Sequence, residues 1–187
     1  MKTVIVHPEK CIGCKHCMIA CSIEHSQSKD LSIAILETPR PTPRIFVDIA
    51  HALAAFPNRC RHCSPAPCLE ACPSGAIHRD EESESLLIDG SRCINCAMCA
   101  MVCPFGVIRY GPDWRLPSRK EVAMKCDNCI ERLKVGSLPA CVEACKTEAL
   151  VYGEVNDIMR ERHLMAIRQE RIPDEVQLWR TVNAALA

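Results

Sequence analysis

The sequence predicts an α+β protein made of two small lobes of repeated design, followed by a helical C-terminal tail. Three observations lead to this fold class: sixteen cysteines that fall into four groups of four, short extended segments that flank these groups, and a cysteine-free stretch at the C-terminus with helical periodicity. With 187 residues, the chain is long enough for one compact unit or for two small lobes.

The cysteines within each group follow one another at short, regular steps. The first and third groups have the spacing C-x2-C-x2-C-x3-C, the second has C-x2-C-x4-C-x3-C, and the fourth has C-x2-C-x11-C-x3-C. In chain order the groups are Cys11, Cys14, Cys17, Cys21; Cys60, Cys63, Cys68, Cys72; Cys93, Cys96, Cys99, Cys103; and Cys126, Cys129, Cys141, Cys145. Four thiolates hold one [4Fe–4S] cube, and the third group with its following proline is the bacterial ferredoxin run. The cysteines therefore predict four [4Fe–4S] clusters, with none left over.

Other uses of cysteine fit this pattern less well. Structural zinc sites usually join two C-x2-C pairs across a long spacer, so a zinc-binding structural module is the alternative from another functional class. Disulfide scaffolds need an oxidising compartment, whereas residues 1–6 carry no export signal. The C-x3-C-x2-C motif of radical enzymes that use S-adenosylmethionine is absent from the sequence. We therefore expect a reducing compartment, the cytoplasm.

The charge and the apolar content of the chain limit the kinds of partner that it is expected to bind. The 23 basic and 23 acidic residues give a formal charge of zero, but four cubes with their thiolates would bring the protein to roughly −8. Such a charge suits docking through complementary patches. The sequence has no run of basic residues that would indicate binding to nucleic acid. It also has no apolar stretch that approaches the ~20 residues needed to span a bilayer.

The apolar residues are too few for an ordinary core. Aromatic residues make up only 4% of the chain, and the sixteen cysteines inflate its apolar fraction. Each cube would tie four chain positions together, as structural metals do in small domains. We therefore expect the protein without iron to be largely unfolded.

Short β-rich segments around the cysteine groups predict strands, and apolar stretches between cysteines predict helical turns. The expected strands cover residues 3–6, 76–78, 86–88, 107–110 and 149–152, and the expected helical turns cover residues 98–102, 142–144 and 130–133. Three insertions interrupt the repeated design: residues 22–58, residues 110–123, which are predicted to be a loop, and the gap between Cys129 and Cys141. The first contains an extended, proline-rich arm at residues 38–44, which is either a surface loop or a contact with a partner.

The C-terminal tail is predicted to form two helices. Residues 155–170 have helical spacing of apolar residues, Pro173 interrupts it, and Asp174 is a candidate N-cap for a last helix. The apolar faces of these helices pack on the cysteine-rich lobes or serve a partner, and the sequence leaves both open.

The motifs Cys11-Ile12-Gly13-Cys14, Cys60-Arg61-His62-Cys63, Cys103-Pro104-Phe105-Gly106 and Cys126-Asp127-Asn128-Cys129 resemble those of the four-cluster ferredoxin-like electron-transfer subunits, the iron–sulfur subunit type of dimethyl sulfoxide reductase. The resemblance covers about residues 1–153. Members of this family serve dimethyl sulfoxide reductase, formate dehydrogenase, formate hydrogenlyase, aldehyde oxidoreductase and nickel carbon monoxide dehydrogenase. In its small size and its lack of an export signal, the chain resembles the cytoplasmic branch of this family. Residues 21–29 look most like the ferredoxin partner of carbon monoxide dehydrogenase.

The resemblance also implies which cysteines share a cube, because in two-cluster ferredoxins the last cysteine of one run binds the other cluster. The implied ligand sets are Cys11, Cys14, Cys17 and Cys145; Cys126, Cys129, Cys141 and Cys21; Cys60, Cys63, Cys68 and Cys103; and Cys93, Cys96, Cys99 and Cys72. One two-cluster ferredoxin lobe would then be inserted in the other. Residues 1–58 and 111–153 would form the outer lobe, residues 59–110 the inner lobe, and residues 154–187 the helical extension.

Charged residues and histidines beside the cysteines have two interpretations. The cations Lys10, Lys15, Arg59, Arg61, Arg92 and Lys125 either form a solvated rim or lie close enough to a cube to raise its reduction potential. His16 and His62 either donate a hydrogen bond to a cube or lie at the surface. Neither is expected to bind metal, because the cysteines already complete the ligand count.

The sequence shows no nucleophile–base pair and no glycine-rich phosphate loop, so we expect no catalytic site. The resemblance implies an electron-transfer subunit that relays single electrons between a catalytic redox subunit and an acceptor such as a hydrogenase. Carbon monoxide dehydrogenase is the favoured partner, and a tungsten or molybdenum aldehyde or formate oxidoreductase is the alternative. A partner would place the chain in the cytoplasm or at the inner face of the membrane, and self-association into a longer electron path is left open.

Overall fold

A computed structural model describes residues 2–49, 55–117 and 119–168 of the chain. The described residues up to Tyr152 form one compact unit, and those from Gly153 to Arg168 belong to a second. All sixteen cysteines belong to the first unit.

Short strands frame the cysteine groups. In the described part of the chain they are β1 (Lys2–Val6), β2 (Ile45–Ile49), β3 (Ala55–Arg59), β4 (Ile77–Arg79), β5 (Leu86–Ile88), β6 (Arg109–Pro112), β7 (Glu121–Met124) and β8 (Leu150–Glu154). Strand β1 pairs with β8, while β2–β3, β4–β5 and β6–β7 form antiparallel pairs. The β1–β8 pair brings the segment before the first cysteine group next to the segment after the fourth.

The helices are also short, and several carry or directly follow a cysteine. A 3-10 helix, Pro8–Lys10, precedes α1 (His16–Glu24), α2 (Leu31–Ala34), α3 (Pro67–Glu70), α4 (Met98–Met101), α5 (Ile130–Lys134), α6 (Ala140–Glu143) and α7 (Val155–Arg168). The third cysteine of the first group, Cys17, lies in α1, and its counterpart Cys99 lies in α4. Groups with equal spacing therefore place the equivalent cysteine in equivalent local structure.

Most of the short elements follow the sequence pattern. Strands β1 and β5 confirm the predictions for residues 3–6 and 86–88, and β4, β6 and β8 overlap the other three predicted strands. Helices α4, α5 and α6 confirm or overlap the three predicted helical turns. The observed bounds differ from the predicted ones by one or two residues at several ends.

Parts of the first two insertions form helices and strands, so the loop predicted for residues 110–123 is only partly correct. Within residues 22–58, helix α1 continues to Glu24, Asp30 caps α2 by accepting hydrogen bonds from two backbone N–H groups, and β2 and β3 form a hairpin. This hairpin forms because it buries Ile45, Val47 and Ala55 on one face, where β-branched side chains pack well. Residues 38–44 have neither helix nor strand, as predicted for the arm. The second insertion, residues 110–123, contributes to the β6–β7 hairpin.

Cysteines form a large part of the buried core. One cluster of buried residues combines Cys17, Cys21 and Cys141 with Val4, Ile45, Val47, Ala55 and Leu150. A second combines Cys68, Cys93 and Cys99 with residues drawn from 66–123, among them Leu86, Val122 and Ala123. A third, small cluster contains Cys60, Val107 and Cys126. The apolar side chains thus gather around the cysteines rather than in a separate core.

The second unit begins with a helix. Helix α7 confirms the helical prediction as far as residue 168, and its apolar side chains Leu164 and Ile167 are exposed. The helix predicted from Asp174 lies outside the described residues. Among the helices that the structure describes, none combines the length and apolarity needed to cross a membrane.

Candidate metal centres

None of the sixteen cysteines forms a disulfide, and their exposure to solvent differs widely. Nine are buried and five are partly buried; only Cys14 and Cys96 are exposed. These two occupy the same place in their groups, the second cysteine of the run. The sixteen cysteines are therefore most accessible to solvent at two equivalent positions, Cys14 and Cys96.

All four C-x2-C loops share one backbone feature. The residue before the second cysteine has a positive φ in each: Gly13, His62, Asn95 and Asn128, with φ between 51° and 70°. Left-handed backbone is uncommon outside glycine, and asparagine and histidine are among the residues that adopt it more readily. The four groups are thus built on one loop conformation, although their overall spacings differ.

A cavity brings three cysteines of the third group together with the last cysteine of the second. It is lined by Cys93, Cys96, Cys99 and Cys72, together with apolar side chains and Tyr110. The Tyr110 hydroxyl lies 3.3 Å from Cys99 Sγ, and the Ser74 hydroxyl lies 3.6 Å from Cys72 Sγ. We call this set the Cys96 quartet.

A second cavity is built in the same way from the first group and the last cysteine of the fourth. It is lined by Cys11, Cys14, Cys17 and Cys145, together with apolar side chains that include Val47 and Leu150. Thr147 Oγ1 lies 3.8 Å from Cys145 Sγ, in the place that Ser74 takes beside Cys72. Burial, with Cys145 adding to it, raises the pKa of Cys17 to about 11. We call this set the Cys14 quartet.

The remaining cysteine of the first group lies among the other three of the fourth. Burial raises the pKa of the Cys21 thiol, and the nearby thiolates of Cys126, Cys141 and Cys129 act in the same direction. The backbone N–H of Arg44 donates to Cys21 Sγ at 3.2 Å. Burial likewise raises the pKa of Cys129 to about 12. We call this set the Cys21 quartet.

The last set, the Cys60 quartet, combines the second group with the last cysteine of the third. Burial raises the pKa of Cys68, and the charges of Cys60 and Cys103 add to that rise. The guanidinium of Arg61 interacts with the thiolates of Cys60, Cys63 and Cys103. Burial raises the pKa of the Cys60 and Cys68 thiols, so iron must displace their protons when a cluster assembles.

Two orphaned polar atoms test whether iron–sulfur cubes fit these quartets. Within the described residues, Arg59 Nε and His62 Nε2 are buried side-chain atoms without a hydrogen-bond partner. His62 Nδ1 accepts from the Leu86 N–H at 3.0 Å, so its Nε2 must carry the proton and act as a donor. Arg59 and His62 flank Cys60 in the sequence, and the sulfur of a bound cube would be an acceptor for such buried donors. Burial lowers the pKa of His62 to about 2, so the ring is neutral. The residues fit cubes held by thiolates.

The structure corrects the interpretation of the cations as a uniform solvated rim. Arg59 and Lys125 are buried, and so is His62, which excludes a surface role for all three. Backbone carbonyl oxygens and Asn128 accept hydrogen bonds from Arg59 and Lys125. The cations Lys10, Lys15 and Arg92 and the histidine His16 are exposed, and Arg61 is partly buried.

A charged network beside the Cys21 quartet escaped the sequence analysis. Asp127 accepts hydrogen bonds from the Arg44 guanidinium and lies 3.2 Å from His25 Nε2. Although burial opposes ionisation, these two partners hold the pKa of Asp127 well below its usual range. Arg44 and His25 are 83 and 102 residues away from Asp127 in sequence, so no local pattern could have paired them.

Comparisons with known proteins agree with this chemistry. Two models described as "4Fe-4S dicluster domain" match residues 51–155 and residues 10–77. Two dicluster domains account for four [4Fe–4S] clusters, which the sixteen cysteines match in number. The structural zinc module is therefore set aside.

Curated relatives cover most of the chain. The thiosulfate reductase electron transfer subunit PhsB of Salmonella typhi is 38% identical over 82% of this chain and 77% of its own length. An iron-sulfur protein of Rhodospirillum rubrum is 36% identical over 79% of both chains. The electron transport protein HydN of Escherichia coli is 34% identical over 83% of this chain and 89% of its own length.

Proposed function

Because the chain belongs to the 4Fe-4S dicluster family of iron–sulfur electron transfer proteins, we propose that it relays single electrons between a catalytic redox subunit and a downstream acceptor. The observation that carries this proposal is the difference in solvent exposure between the cysteines of the four quartets. The Cys14 and Cys96 quartets each hold an exposed cysteine, whereas the cysteines of the Cys21 and Cys60 quartets are buried or partly buried.

The proposed ligand sets are the four quartets. The first takes Cys11, Cys14, Cys17 and Cys145, and the second takes Cys21, Cys126, Cys129 and Cys141. The third takes Cys60, Cys63, Cys68 and Cys103, and the fourth takes Cys72, Cys93, Cys96 and Cys99. The cavities around the first and fourth sets support this pairing, and so do the interactions among the thiolates of the other two. When bound, each cube supplies a one-electron carrier whose thiolate cage holds its geometry nearly constant.

The proposed domain division follows from these sets. Residues 1–58 and 111–153 would form the outer lobe, residues 59–110 the inner lobe inserted in it, and residues 154–187 the extension. Support comes from the buried clusters, since one draws on residues 4–55 and 141–150 and another mainly on residues 66–108. Val122 and Ala123 of β7 also pack in the inner cluster, so the β6–β7 hairpin would join the lobes.

The exposed ends are the proposed contact points with donor and acceptor. Beside Cys14, the side chain of Ile12 is 72% exposed, and beside Cys96 the side chain of Ile94 is 59% exposed. Apolar side chains at the centre of a contact help to exclude water, which brings the partner's carrier close to the exposed cysteine. The chain contributes contact and positioning, and we assign it no catalytic residue.

For the partner, we favour carbon monoxide dehydrogenase, with a hydrogenase as acceptor. The support is the resemblance of residues 21–29 to the ferredoxin partner of that enzyme. A tungsten or molybdenum aldehyde or formate oxidoreductase is the alternative. PhsB, whose name assigns it to thiosulfate reductase, adds a sulfur-compound reductase as a third class. A catalytic partner of this kind would place the chain in the cytoplasm or at the inner face of the membrane.

The test is to purify the chain with its bound partners in the absence of oxygen and to analyse metals. Sixteen irons per chain with equal sulfide would support four cubes, and half that number would contradict them. Excess iron with nickel, followed by carbon monoxide oxidation coupled to reduction of the chain, would support the favoured partner. Molybdenum or tungsten would reject that partner and leave the electron relay intact.

A further inference from the structure

Two cations are buried where the second and fourth cysteine groups meet. Arg59 directly precedes Cys60 and is 1% exposed, and Lys125 directly precedes Cys126 and is 4% exposed. Cys60 and Cys126 share a small buried cluster with Val107. Basic side chains are almost never fully buried unless they are paired with negative charge. The two cations therefore need a source of negative charge inside the fold.

Apart from its interaction with Cys126, the hydrogen bonds of Arg59 go to the neutral groups of Thr3, Val4 and Asn128. Its guanidinium donates to the Val4 carbonyl oxygen and to Asn128 Oδ1, the latter at 2.7 Å, while its Nε has no partner among the described residues. In residues 2–49, 55–117 and 119–168, no carboxylate forms an ion pair with it. A guanidinium stays charged at any pH of interest, so its counter-charge must come from the cysteine thiolates and the cubes that they hold.

The other buried cation has the same character. The Lys125 ammonium donates to the carbonyl oxygens of Leu86 and Cys126. It too forms no ion pair with a carboxylate among the residues that the structure describes.

Each cation is hydrogen-bonded toward the cysteine group that does not follow it in the sequence. Arg59 donates to Asn128, which lies between Cys126 and Cys129 of the Cys21 quartet. Lys125 donates to the carbonyl oxygen of Leu86, whose own N–H donates to His62, between Cys60 and Cys63 of the Cys60 quartet. The two charges therefore cross over between the groups.

We infer that Arg59 and Lys125 are crossed internal counter-ions that raise the reduction potentials of the two central cubes, those of the Cys21 and Cys60 quartets. Reduction adds one negative charge to a cube, and a buried positive charge stabilises that state with little screening by water. The centre would then hold electrons between the two exposed ends, and the chain could accept an electron before its acceptor has docked. This inference rests on the proposed electron relay.

The chain offers a matched control for Arg59. Arg92 precedes Cys93 just as Arg59 precedes Cys60, but its side chain is exposed and donates to the Ser74 carbonyl oxygen at 3.3 Å. Solvent and salt screen an exposed charge, so Arg92 should affect its cube far less. The pair Arg59→Gln and Arg92→Gln removes the same charge at the same sequence position from a buried and an exposed site.

The experiment is an anaerobic redox titration of the full, cube-loaded chain, followed by electron paramagnetic resonance. Arg59→Gln should lower the equilibrium constant for reduction of a central cube about tenfold, which is about 59 mV for one electron. Lys125→Gln should likewise lower the reduction potential of the other central cube. Arg92→Gln should change none of the potentials by a comparable amount, and Arg59→Lys should stay near the native value because it keeps the charge.

Two results would overturn the inference: native potentials in an Arg59→Gln chain that holds four cubes, or an equal shift in Arg92→Gln. If Arg59→Gln assembles fewer cubes, the iron content of Arg59→Lys decides the question. Native iron content in Arg59→Lys would support the need for a positive charge at this position. Equal loss of iron in both variants would overturn the inference. Iron content of the native chain tests the proposed function separately, because the potentials of the variants are compared only after native loading is established.

Discussion

The ends of the cysteine array and its centre present the same ligands in opposite surroundings. The Cys14 and Cys96 quartets have an exposed cysteine, an exposed isoleucine and a hydroxyl-bearing side chain near the last cysteine. The Cys21 and Cys60 quartets lie among buried cations and a buried charged network instead. In the proposed relay the four thiolate cages are equivalent units, and their surroundings would divide the work between contact with partners and retention of electrons.

Removal of iron should have the largest effect on this comparison. Because the cysteines make up much of the core, the chain without iron should lose most of its folded structure. During anaerobic chelation the exposed Cys14 and Cys96 quartets should lose iron before the central ones. Iron content and circular dichroism, followed together, would measure this. Earlier loss from the central quartets, or native circular dichroism after full removal of iron, would contradict the prediction.

Replacing one ligand at the centre and one at an end should give the next largest difference. Cys141→Ser leaves a weaker ligand at a buried position, so we expect loss of the central cube and a large fall in thermal stability. Cys14→Ser changes an exposed ligand, so the chain should stay folded and keep at least three cubes while electron transfer to a partner slows. Iron content and melting temperature of both variants check this. Equal destabilisation would abolish the distinction between centre and ends.

The sequence predicted what is local and missed what is distant. Cysteine spacing is a local property, and the strands and helical turns flanking the groups were found for the same reason. The hairpin of β2 and β3 was missed because the insertion was judged by its proline-rich arm, whereas burial of Ile45 and Val47 stabilises the hairpin. Burial of Arg59 depends on Asn128, 69 residues away, which no spacing rule indicates.

The Asp127 network should contribute a moderate share of stability at the centre. Asp127→Asn would leave the Arg44 guanidinium without its carboxylate while keeping the side-chain shape. Removing one partner of a buried pair is costly, and for this partly buried pair we expect a loss of about 2 kcal/mol. Glu131→Gln is the control, because Glu131 forms an exposed pair with Lys134 and should change stability by less than about 0.5 kcal/mol. Anaerobic denaturant unfolding of the cube-loaded chains would measure both, and similar losses would show that the network adds nothing to the centre.

The smallest expected effect is on the reduction potential of the cube in the exposed Cys96 quartet. It compares a neutral hydrogen-bond donor with the buried charge of Arg59. Tyr110→Phe removes the hydroxyl that lies 3.3 Å from Cys99 Sγ. A hydrogen bond to a ligating sulfur stabilises the more negative, reduced state, so its loss should lower the potential of the Cys96 quartet's cube. A neutral hydroxyl carries only a partial charge, so the shift should be smaller than the ~59 mV expected for a buried guanidinium. Tyr152→Phe is the matched control, since burial alone raises the pKa of that tyrosine. A shift in Tyr110→Phe as large as that in Arg59→Gln would mean that hydrogen bonds, rather than buried charge, set the potentials along the whole array.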